Sequence, residues 1–366
     1  MNDSEYLTTI KERNKNRTVT NEELKNNIQK AKAIFQEYHK NTVHFERSIF
    51  INWTCAIADC KYCYLSTKPK HKAGTQATAI RSIESILAEA LVCKLMGWEI
   101  GYITGGLRVE SVDQIIVLLK HLNNINKKKN WMNFGPYAHS EIKKLKPYTG
   151  GMGSAIESFD EELHNFICPS KPLIQLKKYL GHLKEEEMGK LITIILGLGE
   201  NKDDIELVSE NITKYNINTV QLCFLKPQEN TIFAQVPAPD MNYMAYWVAK
   251  LRIKHPKLKI KVALVKERMD DLHLLLDAGA NAFSRFMVFK DFNSEQAIIL
   301  ENECKKAKRE LKGNFTKIPE FDLEAELNLL QIDQELKVKI LPKAQQYLKK
   351  LKALEAKKKN SWPKIS

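Results

Sequence analysis

Leu191-Ile192-Thr193-Ile194-Ile195-Leu196-Gly197-Leu198-Gly199-Glu200 is the stretch on which the fold turns. Residues 191–196 run on without the apolar–polar alternation of a half-solvated strand. Such a run marks a strand buried on both faces, as in parallel sheets covered by helices. Gly197 and Gly199 end it. Downstream, residues 203–215 have a helical period, 219–224 read as a strand and 243–254 as a helix. Residues 258–264 alternate as a strand, 269–277 form a helix stopped by Gly279, and 282–286 give one more strand. Upstream, residues 159–183 are helical with breaks near Pro169 and Pro172, 152–156 are a strand, and a short helix starts near Ser140. A strand at 131–134 follows a helix that Ser111 caps and that runs to Leu122. A strand at 98–103 follows a helix at 76–96, and a strand-like 50–53 comes first.

Eight strands alternating with helices predict an α/β fold, a parallel (β/α)8 TIM-type barrel, with an open six-strand barrel as the alternative because the last strands are short. The barrel is expected over residues 46–315. Residues 1–45 read as an N-terminal helical extension, and 316–366 as C-terminal helices with a basic tail. In such a barrel the chemistry lies at the carboxyl ends of the strands.

The chain of 366 residues is 43% hydrophobic and long enough for a large core. It has no run of eighteen apolar residues to cross a membrane, and its first thirty residues lack the apolar stretch of a secretory signal. A cytoplasmic location is expected. The net charge is +13, much of it on lysines such as Lys343, Lys349, Lys350, Lys352, Lys357, Lys358 and Lys359. Lysine-rich solvated faces explain this excess more simply than a nucleic-acid partner.

Seven cysteines in such a compartment do not suggest disulfides. Cys93, Cys168, Cys223 and Cys304 are widely spaced and read as small buried hydrophobes. Cys55, Cys60 and Cys63 crowd into nine residues, Cys55-Ala56-Ile57-Ala58-Asp59-Cys60-Lys61-Tyr62-Cys63, directly after a strand. Three thiolates this close hold soft metal. A closed structural zinc site wants four ligands, and no fourth is obvious nearby, with His71 kept as a candidate. A cubane iron–sulfur cluster normally has four thiolates; three leave one iron open, which is useful only for chemistry.

Cys60-Lys61-Tyr62-Cys63 resembles the end of the cysteine motif in biotin synthase and other radical S-adenosylmethionine (radical SAM) enzymes. In that motif three residues separate the first two cysteines; here there are four, Ala56 to Asp59. Thr104-Gly105-Gly106 resembles the family's segment after strand two, with Leu107 where relatives carry Glu. Ala155-Ile156-Glu157-Ser158 follows strand four, where relatives have an acidic or hydroxyl residue against SAM. The 194–200 segment is similar to the family's Gly-x-Ile-x-Gly-x-x-Glu stretch beside the adenine. The 225–231 and 276–281 segments are also similar to biotin synthase.

The resemblance covers about residues 46–290 and implies a [4Fe–4S] cluster on Cys55, Cys60 and Cys63, with SAM as cosubstrate. It implies SAM contacts from Tyr62, Thr104, Gly105, Gly106, Glu157, Ser158, Leu196 and Gly197, and from Lys177 to the methionine carboxylate. It also implies reductive SAM cleavage to a 5′-deoxyadenosyl radical, an external electron donor and a small-molecule substrate. The subgroup most similar is the [Fe]-hydrogenase cofactor maturase group, HcgA or HmdB, whose lengthened first gap matches; this implies a pyridinol precursor as substrate and a role in iron-guanylylpyridinol cofactor biosynthesis. Alternatives are another biotin synthase-like or RNA-modifying radical SAM enzyme, or a non-catalytic metal-binding protein. Asn133, Tyr137, His139 and Arg285, near other strand ends, are candidates to face substrate.

Overall fold

The computed structural model describes residues 2–70, 72 and 79–357. Eight parallel strands close into a barrel: β1 (Thr42–Phe50), β2 (Glu99–Thr104), β3 (Trp131–Asn133), β4 (Gly151–Glu157), β5 (Gly189–Leu196), β6 (Thr219–Phe224), β7 (Lys259–Ala263) and β8 (Ala282–Ser284). Each pairs with the next, and β1 pairs with both β8 and β2, which closes the ring. The closed eight-strand form is therefore the one adopted, and the short β8 still completes it. A ninth strand, β9 (Glu310–Lys312), adds to the amino end of β1, where Gly313 packs on Gly97 just ahead of β2.

The run that suggested the fold lies where expected. Every residue of β5 from Lys190 to Leu196 is buried, as is all of β6. Leu196, Ile194 and Ile192 join the large core between barrel and helices, whereas Ile195 faces the lumen with Cys223 and Ala263. Alternation along each strand thus divides one apolar run between two compartments.

The first strand differs from expectation. β1 begins at Thr42, eight residues before the apolar 50–53 stretch, and so inside the expected extension. Val43, Phe45 and Ile49 are fully buried in the outer core, but Glu46 between them points inward and is also buried. A charged residue on the lumen face hides a strand from any reading based on apolar content. The helix expected over 76–96 is shorter, Ile83–Leu95. Ser111 does cap its helix, with a reciprocal Ser111–Gln114 capping box. Helices Asp3–Asn14 and Asn21–Tyr38 precede the barrel; the second packs on the Met241–Lys254 helix. After the barrel, helix Gln334–Glu355 packs on Ile83–Leu95. Lys358 and Lys359 lie outside the described residues, as does His71. No helix among the described residues is long and apolar enough to cross a membrane.

Candidate active site at the carboxyl mouth

The cysteine loop leaves β1 through Asn52, which is completely buried. Its Oδ1 accepts the Gly106 N–H at 2.7 Å, and its Nδ2 donates to the Glu110 carboxylate at 2.8 Å. Asn52 therefore fastens the loop after β1 to the loop after β2. The two glycines exist for that junction. A Cβ on Gly106 would stand 1.7 Å from the Thr54 carbonyl oxygen, and one on Gly105 would meet the Asn52 amide at 2.8 Å. The backbone continues the clasp: Ala56 N donates to Leu107 O at 3.0 Å, and Leu107 N points at Cys55 Sγ at 3.4 Å. The close approach expected of Gly105-Gly106 is thus made to the cysteine loop.

The extra residue in the first cysteine gap is taken up at Ala58, which adopts the left-handed region at φ +38°. That turn aims the Ala58 N–H at Cys55 Sγ, 3.5 Å away. Two backbone N–H groups, of Ala58 and Leu107, thus converge on one buried sulfur. Farther along, Lys61 N donates to Ile167 O at 2.8 Å, and Asp59 accepts from the Ser170 hydroxyl. The loop is so pinned to the 167–171 turn. Burial pushes the Cys63 thiol up to about 11, reinforced by Cys60 and Cys55 beside it. Cys60 is held below the ordinary thiol range, chiefly by a hydrogen bond with Cys168 and then by Lys171. A bound cation reverses such burial penalties and deprotonates the thiols outright. Three thiols in mutual electrostatic reach, one carrying two N–H donors, fit a soft-metal cluster.

Cys168 was read as a buried hydrophobe and is fully buried, but it lies beside Cys60. A separation of 108 residues concealed this. Glu157, His164 and Cys168 also approach one another, but both His164 ring nitrogens are occupied by the Ile156 and Lys171 carbonyls at 2.6 and 2.7 Å.

Glu157 ends β4 at φ +58°, almost wholly buried. The Lys171 ammonium bonds both its oxygens at 2.9 Å and the Ala155 carbonyl at 2.7 Å. The Tyr62 hydroxyl donates to the same carboxylate, which joins the cysteine loop to β4. Burial and the Glu157 charge drive the Tyr62 phenol far above its usual range. Nearby cysteine sulfurs and Glu157 raise Lys171 despite its burial.

Several expected residues stand elsewhere. Lys177 lies on the outer helix Leu173–Glu185, 3.8 Å from Glu161, and does not reach Glu157. The buried lysine is Lys171, ahead of that helix, in the Pro169–Pro172 break. The Leu196 side chain is sealed in the outer core, so only its backbone is near the mouth. Ser158 accepts from Asp160 N at 3.0 Å within a local turn. Thr104 donates to Asn133 O at 3.1 Å. Gly197 (φ +119°) packs on Leu225, and its N–H bonds the Glu200 carboxylate at 2.9 Å. His139 stacks on His182 and bonds Glu186 at 2.9 Å, outside the mouth. Tyr137 lines an outer groove with Arg108 and Phe134.

The mouth is also covered, which the sequence did not suggest. Helix Asp3–Asn14 crosses it: Tyr6 donates to Leu198 O at 2.7 Å and stacks on Phe166, and Lys61 pairs with Asp3 at 2.5 Å. Arg13 bonds Asp160 at 2.8 Å and Asp204 at 3.0 Å, while Arg17 bonds Glu200 at 3.1 Å.

A closed parallel barrel with a thiol-rich, covered carboxyl mouth defines a class of metal-dependent barrel enzymes. The model of the Radical SAM superfamily matches residues 54–211. The chain is 33% identical over 300 residues to an uncharacterised protein of Methanocaldococcus jannaschii, covering 81% of this chain and 82% of that one. It is 26% identical over 233 residues to the biotin synthase of Thermotoga petrophila, covering 61% and 76%. The structure of the FeFe-hydrogenase maturase HydG from Carboxydothermus hydrogenoformans has a TM-score of 0.63 at 16% identity, covering 97% and 90%, and so shares the fold. The chain belongs to the radical SAM superfamily, whose enzymes use a [4Fe–4S] cluster and SAM.

Proposed function

We propose that Cys55, Cys60 and Cys63 hold the [4Fe–4S] cluster and that SAM lies between them and the ends of β2, β4 and β5. The observation that carries this is the cysteine loop itself: three neighbouring thiols on a loop fastened by Asn52, Gly106, Leu107 and the 167–171 turn, with Cys60 packed against the lumen cluster. When cluster and SAM are bound, they supply reductive sulfur–carbon cleavage and a 5′-deoxyadenosyl radical. The protein does the rest. Glu157 and Lys171 present an ordered pair of charges for an amine and a carboxylate, so Lys171 replaces Lys177 as the basic residue of the reading. Tyr62 keeps its proton and fixes the Glu157 carboxylate. Thr104, Gly105, Gly106, Leu196 and Gly197 contribute backbone, and Ser158 shapes the turn after β4. Helix Asp3–Asn14 excludes water from the reacting centre.

We assign the enzyme to cofactor biosynthesis, with a pyridinol precursor of the iron-guanylylpyridinol cofactor of [Fe]-hydrogenase as substrate. Supporting this are the lengthened first cysteine gap and a 29% identical stretch of 160 residues shared with a 7,8-didemethyl-8-hydroxy-5-deazariboflavin synthase of Archaeoglobus fulgidus. Incubation of reconstituted protein with SAM, reductant and pyridinol precursors tests it. Precursor-dependent 5′-deoxyadenosine with a modified pyridinol is expected; SAM cleavage indifferent to every precursor would sink the pathway. A second reading, a non-catalytic metal site, rests on Cys168, which adds a thiol beside Cys60. That site would bind zinc and ignore SAM, so metal analysis with SAM titration separates the two.

A further inference from the structure

Resting on the radical SAM reading, we infer that the upper lumen binds a small substrate through a carboxylate, and that Arg285 is its anchor. Arg285 follows β8 directly, between Ser284 and Phe286, both completely buried. Its own side chain is exposed. Yet its charge is felt at Cys223 of β6, Tyr102 of β2 and Tyr62 of the cysteine loop, none of which lies on the outer surface. A side chain accessible to solvent and surrounded by such residues stands in the open interior of the barrel mouth. Its backbone is left-handed, φ +68°, a conformation costly for a non-glycine residue and one often kept where a side chain must be aimed.

Among the described residues Arg285 has no counter-ion. Among the described residues no carboxylate and no carbonyl bonds its guanidinium, and it is not among the groups with further interactions. The buried arginines differ: Arg252 bonds Gly279 O and Asn281, and Arg309 bonds Leu276 O. Guanidinium is the side chain whose planar fork matches a carboxylate in two parallel hydrogen bonds.

The chamber around it is unfinished in the same way. Ser284 Oγ, Gln221 Oε1, Thr193 Oγ1 and Asn133 Oδ1 are all buried and have no hydrogen-bond partner among the described residues. They come from four different strands. Gln221 is lumen-facing, because its Nε2 reaches Tyr102 OH across the barrel at 2.8 Å. Thr193 pairs with Gln221 in register, and Ser284 with Ala263. Buried polar atoms are almost always satisfied, so a convergent set left open points to a ligand. Below them the Gln221–Tyr102 bond, with Lys261 under the Tyr102 ring at 4.6 Å, floors the chamber. Above stands the cysteine loop. A carboxylate on Arg285 would leave the body of the molecule between apolar Ile195, Cys223 and Ala263, with its hydrogen-bond donors toward Gln221 and Asn133.

The methionine carboxylate of SAM offers the same chemistry, and the test separates the two sources. Native protein and Arg285→Gln, each reconstituted and saturated with SAM, are examined by saturation-transfer NMR. The probes are butyrate, 2-oxobutyrate, benzoate and phenylacetate, each with its amide; Arg285→Lys and melting curves control for folding. The expected result is carboxylate binding weakened at least tenfold in Arg285→Gln and partly restored in Arg285→Lys, with amides and SAM affinity changed less than twofold. Equal carboxylate binding in both proteins overturns the inference, as does the absence of any carboxylate preference in the native protein. Loss of SAM affinity instead would assign Arg285 to SAM and also overturn it. Native protein that makes no 5′-deoxyadenosine but still selects carboxylates through Arg285 overturns the radical reading and leaves the chamber standing.

Discussion

The two mouths of the barrel are both lined by buried polar groups, and they treat them in opposite ways. At the amino mouth Glu46 meets Lys261 at 2.6 Å and also Lys259, and Gly101 leaves room for the pair, since a Cβ there would lie 2.7 Å from the carboxylate. A cavity of about 150 Å³ lined by Glu46, Glu99, Lys128 and Lys261 sits below. Opposite charges there answer each other. At the carboxyl mouth Arg285 and four lumen-facing side-chain oxygens have no hydrogen-bond partner among the described residues, while the Glu157–Lys171 pair is set beside the thiols. Polar burial that balances internally closes a barrel; polar burial that does not is addressed to something else.

The largest effect is expected from the hinge of the carboxyl mouth. Gly106→Ala forces the Thr54–Cys55 backbone to move, so iron content after reconstitution should fall more than tenfold, read by iron analysis and the visible cluster absorbance. Retention of full iron would mean the clasp is dispensable.

Next comes Lys171→Met, which strands the buried Glu157 carboxylate. A loss of about 3–5 kcal/mol is expected in denaturant unfolding of the apo protein, with weaker SAM binding after reconstitution. Unchanged stability would contradict a stabilising role for the Glu157–Lys171 bond.

At the amino mouth the effect is on stability alone. Burial by itself would raise the Glu46 carboxyl, but Lys261 and Lys259 outweigh it and hold it down at about 2. Its folded pKa is thus depressed below the ordinary value of about 4.5, so its stabilisation, on the order of 3 kcal/mol, is complete above that value and is lost as pH falls toward 2. Glu46→Gln should lower stability at pH 7 and flatten the dependence between pH 5 and 3, with SAM affinity unchanged. A change in SAM affinity would break the separation of the two mouths.

The smallest effect is expected at the cover. Tyr6→Phe removes one hydrogen bond to Leu198 O and should cost about 1 kcal/mol. It should also speed hydrogen exchange in helix Asp3–Asn14, and protection identical to native would argue that the helix is held by its ion pairs alone.

Much of this contrast was hidden in the chain. The barrel was legible because β5 and β6 are apolar throughout, and the cysteine loop because its ligands are neighbours in sequence. β1 was half concealed, since its lumen face carries Glu46. The resemblance points to Lys177, about one helix after Glu157, but the break at Pro169 and Pro172 turns Lys171 inward and leaves Lys177 on the outer helix face. The nearness of Cys168 to Cys60, and of Tyr6 to Leu198, depends on tertiary closure over long separations that no local pattern encodes.

The central claim is that the thiols of Cys55, Cys60 and Cys63 hold a cluster that cleaves SAM. The direct measurement is 5′-deoxyadenosine formed by anaerobically reconstituted native protein with SAM and a strong reductant, beside Cys55→Ala, Cys60→Ala and Cys63→Ala. The account predicts about four irons per chain in the native protein, product from it, and none from the three variants. Zinc in place of iron, or product that survives loss of any of the three cysteines, would contradict it.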